Sequence, residues 1–345
     1  MAHLKGSQWR ESKRALDKKS RAKAKHFDYE GSQEFVDHYT EDADKTGIVI
    51  GSALGRISLL ADQTQVNCSV SPDAPRHLAK AVVVGDVVAL SEFENSLMVS
   101  GLTERRNVLS RMRRDATRRS YLGAQEQIIA ANIDVAAIVT SAQNPPLHPK
   151  FIDRYMILLQ HNDIDTVLCL NKGDLATGEE RRILDEYNRL GVTTAETSAV
   201  DNTGIEKFKD LLRGKVAVFV GQSGVGKTSL INAIDPSASY RTGEVSTSSG
   251  RGRHTTSAST LHMWDENSYI IDTPGIRSLE IWDIEKSELQ YYYQEFVPFN
   301  PDCKYPDCLH LNEPLADCAV KQAINQPNGI SQARYESYVK ILDEL

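Results

Sequence analysis

The chain has 345 residues, 40% hydrophobic and 25% charged, with 40 Lys+Arg against 47 Asp+Glu and five Cys. That is material for two or three globular domains. No apolar run approaches the roughly 18 residues a membrane helix needs, and an odd cysteine count in a long chain argues against a disulfide scaffold.

The net charge of −7 is unevenly spread. Residues 1–26 carry a net +7 and residues 105–119 (RRNVLSRMRRDATRR) a net +6, so the rest of the chain sums to −20. An acidic body with two dense basic segments points to an anionic partner. Nucleic acid comes first, because Lys and Arg gain affinity by releasing phosphate counterions. A membrane surface ranks lower, since the tail has no amphipathic stripe and no lipidation signal. The N-terminus lacks the apolar core of an export signal, which predicts a cytoplasmic protein.

Residues 1–45, poor in aliphatics, read as a disordered charged tail. Residues 46–104 hold short β-type runs (GIVIGSALGRISLL, QVNCSV, AVVVGDVVAL, SLMVSGL) separated by turn formers. They predict an OB-like antiparallel barrel of about five strands, a class that commonly binds oligonucleotides. Residues 105–124 form an Arg-rich linker, with Arg105, Arg106, Arg111, Arg113 and Arg114 as candidate RNA contacts. Over residues 125–281 strands (DVAAIVTSA, DTVLCL, TTAETS, KVAVFV, SYIID) alternate with helices (FIDRYMILLQHN, RRILDEYNRL, GIEKFKDLLRG, TSLINAI). Alternation of this kind predicts a parallel sheet covered by helices on both faces. In the first helix, Phe151, Met156, Leu158 and Leu159 cluster near one side, the apolar side expected of it. Residues 282–345 read as a helical domain interrupted by a Cys/His segment.

The strongest motif is GQSGVGKT at 221–228, which matches G-x-x-x-x-G-K-[ST] in full between a strand and a helix. Gly221, Gln222, Ser223, Gly224, Val225 and Gly226 can wrap backbone N–H groups around phosphates, and Ser229 opens the helix behind them. Lys227 is expected to reach the β/γ-phosphates and Thr228 to bind Mg²⁺. NKGD at 171–174 fits a guanine reader: the Asp174 carboxylate accepts from two guanine N–H groups that adenine lacks, while Asn171 and Lys172 shape the pocket. TSA at 197–199 supplies Ser198 and Ala199 to the same pocket. DTPG at 272–275 fits a γ-phosphate sensor, with Asp272 beside Mg²⁺ and the Gly275 N–H on the phosphate.

The order of these motifs is permuted. The base motifs precede the phosphate loop and DTPG comes last, so the chain leaving the second switch runs directly into the C-terminal region. Between phosphate loop and DTPG lies GRGRHTTSAST (250–260), a polar switch-like segment. Where many GTPases carry a water-orienting Gln, this chain has Ile276, and His254 is the nearest group able to orient water. Cys303-x4-Cys308-x-His310-x7-Cys318 offers the Cys₃His set of a closed structural zinc site, one Zn²⁺ per chain.

Together these motifs resemble the circularly permuted GTPases of bacterial small-ribosomal-subunit biogenesis, the RsgA family. The similarity runs over residues 46–345, through ERRNVLSR, IIAANIDVAAIV, FIDRY, NKGD, GQSGVGKTSLIN, GRGRHTT, DTPGIR and the Cys/His segment. The resemblance implies a GTP hydrolase acting late in assembly of the small ribosomal subunit. It also implies rRNA binding, stimulation by the subunit, and no membrane partner; a monomer is expected. By family position Thr256, with Thr255 as alternative, completes the Mg²⁺ shell. The family has five residues between the His and the last Cys; here there are seven, which predicts either a bulged loop or a different local ligand geometry, with Cys318 the ligand most affected. The competing reading is a nucleic-acid-binding module with a regulatory, weakly active nucleotide site.

Overall fold

The computed structural model describes residues 45–53, 56–75, 78–114, 124–238, 259–272, 281 and 284–345. Residues 40–282 group as one unit; residues 283–345 fall in a second.

Five short strands, β1 (Thr46–Ala53), β2 (Arg56–Ala61), β3 (Thr64–Cys68), β4 (Val87–Phe93) and β5 (Ser96–Leu102), pair in the order β3-β2-β1-β4-β5, all antiparallel. Period-two patterning points Ile57 and Leu59 inward with Val49, Val88 and Val99, all fully buried. Asp62-Gln63 and Glu94-Asn95 close two hairpins with φ positive at both residues, the turn whose twist suits adjacent strands. The sheet curls back on itself: Ser71 N donates to Val99 O at 2.8 Å and Val99 N to Ser69 O at 3.0 Å.

A short helix, α1 (Leu78–Ala81), leads to the joint between barrel and α/β domain. Gly85, at φ +87°, passes so close to the next domain that a Cβ would stand 2.1 Å from Ala131 O. Beside it Arg105 donates Nε to Asp86 Oδ1 at 2.7 Å, and one terminal nitrogen to Asp86 Oδ2 at 2.8 Å and Ala81 O at 2.9 Å. The two side chains are 8% and 0% exposed. This corrects the expectation that Arg105 faces nucleic acid: the guanidinium is spent inside the joint. Asn132 Nδ2 donates to Gly85 O, and its Oδ1 accepts from Arg106 N. Asp134 then receives Arg106 on Oδ1 and Val216 N on Oδ2, both at 2.8 Å. The segment expected as a linker therefore contributes structure. It forms β6 (Val108–Arg114), paired antiparallel with β7 (Ala124–Ala131) in a two-stranded ribbon that sets Arg111 opposite Gln127.

The α/β sheet contains β8 (Val135–Ser141), β9 (Asp165–Asn171), β10 (Thr193–Glu196), β11 (Val216–Val220), β12 (Thr260–Asp265) and β13 (Ser268–Asp272). Its order is β10-β9-β8-β11-β13-β12, parallel except for β12. Two helices, α2 (Pro149–His161) and α3 (Gly178–Arg189), pack Ile152, Tyr155, Leu158 and Tyr187 against Ile138, Leu168 and Val218. On the other face α4 (Ile205–Leu212) and α5 (Lys227–Ile234) pack Phe208, Leu212 and Leu230 against Val139, Val167 and Phe219. Residues of one strand thus alternate between two cores. In α2 the buried stripe is rotated from the expected one: Phe151 is 42% exposed, and Ile152 takes its place in the core.

In the second unit the expected helical character is confined. Residues 284–345 are mostly turns and irregular chain with three short 3₁₀ segments (Leu289–Tyr292, Asn300–Asp302, Leu315–Asp317), the short α6 (Ala319–Gln322) and one longer helix, α7 (Gln332–Glu344), capped by Ser331. Within this unit α7 packs Tyr338 on Tyr293 and Phe296 and places buried Arg334 against Glu295 at 2.6 Å.

Breaking the Asp86–Arg105 pair strands a buried carboxylate. Arg105→Ala is expected to lower the unfolding free energy by about 3–5 kcal/mol, read by denaturant titration. A loss below about 1 kcal/mol, the worth of an exposed pair, would show that the joint does not rely on it.

Candidate functional site

The ends of parallel strands decide where a ligand can bind in such a sheet: outside their carboxyl ends. The NKGD, TSA, GQSGVGKT and Asp272 positions all sit there, after β9, β10, β11 and at the end of β13. Residues 221–226 run from β11 into α5, whose first residues are Lys227, Thr228 and Ser229. Lys227 Nζ donates to Gly221 O and Gln222 O, both at 2.7 Å, and so lies over its own loop.

The base motif and the phosphate loop are tied directly. Asn171 Nδ2 donates to Val225 O at 2.9 Å, and Lys172 Nζ to Gly224 O at 2.9 Å. Lys172 also donates to the Gln143 and Asn144 carbonyls after β8. Gly226, at φ +94°, has to be glycine here, since a Cβ would lie 2.3 Å from Asn171 Nδ2. Ser198 Oγ donates to Asp174 Oδ1 at 2.8 Å, and Gly173 N to Thr197 O at 2.9 Å, which brings the TSA and NKGD turns together. Ala199 follows in the same turn. Arg181 braces both turns by pairing with Glu196 and donating to Gly173 O. Sequence reasoning missed Arg181, Gln143 and Asn144, for which no local motif exists. At the start of α3, Thr177 and Glu180 form a reciprocal capping box.

Burial raises the Asp272 carboxyl above its ordinary range, and the nearby Lys227 charge opposes that shift. His254, Thr255, Thr256 and Gly275 lie outside the described residues. So does the tail before Lys45. Arg106 is exposed and joined to Asp134, and Arg111 is joined to Gln127 Oε1. Arg113 and Arg114 are placed on β6 by the ribbon register.

In the second unit Cys303, Cys308, His310 and Cys318 converge, their ligand atoms all within 4.8 Å of one another. His310 Nδ1 stands 3.7, 3.2 and 3.4 Å from the sulfurs of Cys303, Cys308 and Cys318. The Cys308 and Cys318 sulfurs are 3.8 Å apart. Metal–ligand bonds of about 2.3 Å to sulfur and about 2.0–2.1 Å to nitrogen give tetrahedral edges of about 3.8 Å (S–S) and about 3.5 Å (S–N), so the donor set fits a tetrahedral ion. Burial lowers His310 to about 4, leaving its imidazole neutral and able to offer a lone pair. Burial and neighbouring thiols push Cys308 up, and burial does the same for Cys318.

A model of the RsgA GTPase family matches residues 102–282. The small ribosomal subunit biogenesis GTPase RsgA of Chlorobaculum parvum is 36% identical over 82% of this chain and 92% of its own length. The chain belongs to the RsgA GTPase family. It is a GTP-hydrolysing enzyme with the permuted order seen above. The relative of the same name from Thermotoga neapolitana is 42% identical over 62% of this chain and 72% of its own. Among solved structures, YjeQ from Thermotoga maritima superposes with a TM-score of 0.67 at 30% identity, over 87% of this chain and 98% of that one. YloQ, a circularly permuted GTPase, does so with a TM-score of 0.64 at 28% identity, covering 87% and 94%. No helix among the described residues is long and apolar enough to cross a membrane.

A metal binds thiolates, whereas the metal-free Cys308 and Cys318 hold their protons. Metal uptake is therefore expected to release about two or more protons, with apparent affinity rising as pH rises. Proton release into a weak buffer measures this; uptake without release would contradict the ligand set.

Proposed function

We propose that this chain is a GTP-driven assembly factor of the small ribosomal subunit, acting in the cytoplasm as a monomer. The observation that carries the reading is the pair of hydrogen bonds from Asn171 and Lys172 to the carbonyls of Val225 and Gly224. They tie the base-reading turn directly to the phosphate loop. The names of the most similar relatives support the ribosomal partner.

In this reading Asp174 accepts from the guanine N–H groups, with Ser198 holding the carboxylate and Ala199 lining the pocket. The N–H groups of the 221–228 loop and the positive end of α5 face the phosphates, and Ser229 extends that first helical turn. Lys227 leaves the Gly221 and Gln222 carbonyls for the β/γ-phosphates, so the nucleotide replaces contacts the lysine makes with its own loop. Thr228, Asp272 and Thr256 would hold Mg²⁺, which when bound neutralises charge developing on the phosphates. The Gly275 N–H meets the γ-phosphate, and His254 orients the attacking water in place of the Gln that Ile276 replaces. With no built-in Gln, hydrolysis is slow until the subunit completes the catalytic arrangement. The Cys303/Cys308/His310/Cys318 centre holds one zinc ion as a structural staple. Arg106, Arg111, Arg113 and Arg114, together with the barrel, contact rRNA.

GTP hydrolysis with and without small ribosomal subunits, with ATP as control, is the direct test. Slow GTP turnover strongly stimulated by subunits is expected; GTP binding without stimulation would remove the ribosomal partner but leave the nucleotide reading. Asp174→Asn is expected to shift preference from guanine toward xanthine nucleotides, and unchanged GTP affinity would overturn the base assignment. Replacing Arg111, Arg113 and Arg114 with Ala is expected to reduce the salt slope of subunit binding by about 0.7–0.9 per lost phosphate contact. An unchanged slope removes the ribbon from the RNA surface.

A further inference from the structure

The four metal-ligating side chains do not position themselves. His310 must present Nδ1, the nitrogen that faces the three sulfurs. A neutral imidazole offers a lone pair at one nitrogen only if the proton sits on the other. The other nitrogen, Nε2, lies 2.8 Å from Gln290 Oε1, with His310 1% and Gln290 7% exposed. The orientation of the Gln290 amide follows from its own network: its Nε2 donates to Ser287 O at 3.1 Å, which turns Oε1 toward the ring. The Nε2 proton thus has a fixed acceptor, and Nδ1 is left for the metal.

The backbone of His310 also needs holding. It sits at φ +59°, a left-handed conformation uncommon for a residue with a side chain. Glu313 clamps both flanks: one carboxylate oxygen accepts from Leu309 N and the other from Leu311 N, each at 2.8 Å. Lys321 Nζ donates to the Leu311 and Glu313 carbonyls and closes the loop. Tyr335 and Tyr338 of α7 donate to His310 O at 2.6 Å and Leu309 O at 2.9 Å. Glu313 is the third residue of the seven-residue interval between His310 and Cys318, so the clamp lies within the ligand loop itself.

We propose that Gln290 and Glu313 are positioning residues of the metal centre: Gln290 sets the His310 tautomer and ring angle, and Glu313 sets the turn that carries it. The proposal rests on reading the Cys₃His cluster as a metal site and is independent of the nucleotide reading. Groups that orient a ligating histidine from behind typically change metal affinity by about 10–100-fold when removed.

The test measures zinc affinity of the full chain by competition with a chromophoric chelator, together with the absorption spectrum after cobalt(II) substitution. Gln290→Met, which removes the acceptor at similar volume, is expected to weaken zinc by about 10–100-fold. Gln290→Glu, which restores an acceptor, is expected to keep wild-type affinity; a merely structural role would not be rescued by that change. Glu313→Gln, which keeps one acceptor oxygen and loses the other, is expected to weaken zinc by about 10-fold while the cobalt spectrum still reports three thiolates. If Gln290→Met does not fold, Gln290→Glu and Glu313→Gln still decide. Loss of affinity in the first, or unchanged affinity in the second, overturns the assignment of that residue. Wild-type affinity in Gln290→Met overturns the positioning role and leaves the metal site standing. A wild-type chain that binds neither zinc nor cobalt overturns both.

Discussion

Two side-chain hydrogen bonds, from Asn171 to Val225 O and from Lys172 to Gly224 O, hold together the parts that the rest of the nucleotide site depends on. They join turns 54 and 52 residues apart in the chain across the carboxyl ends of β9 and β11, strands separated in the sheet by β8. The bonds exist because parallel strands deliver their carboxyl ends to one rim, and because Gly226 leaves room for the Asn171 amide. Neither condition refers to the order in which the strands were made. That is why a permuted chain can build the same rim: sheet neighbours, not sequence neighbours, set the distances.

The permutation has a structural consequence at the other end of the sheet. β8 receives the chain directly from the ribbon β6–β7 and the barrel joint. The line of contacts from Gly85 and Asp86 through Arg105, Arg106, Asn132 and Asp134 ends on Val216 N, at the start of the strand that leads into the phosphate loop. A buried bidentate pair and close backbone packing favour barrel and α/β domain behaving as one body. In the second unit a stitched loop does comparable work with very little regular structure. The aromatic cluster of Tyr293, Phe296 and Tyr338 packs beside His310, and Gln290 and Glu313 take up the polar groups that the turn would otherwise leave unpaired.

By itself the sequence determined the class of the barrel and of the α/β domain, and which residues were candidates for their chemistry. GQSGVGKT, NKGD and the Cys/His spacing were readable because their meaning is local: glycines, a lysine and a carboxylate at fixed covalent separation act as a unit wherever a strand end presents them. The alternation of strands and helices was readable for the same reason, since periodicity follows from backbone geometry. The tertiary structure alone decided what depends on partners far away in the chain. Arg105 looked like its arginine neighbours until Asp86, 19 residues earlier, took it into the joint. Phe151 looked like core until packing on the sheet set the rotation of α2 and chose Ile152. Gln290 carries no signal, because an amide behind a histidine is defined only by the fold that brings it there. Local pattern fixes which residues can act, and long-range packing decides which are free to.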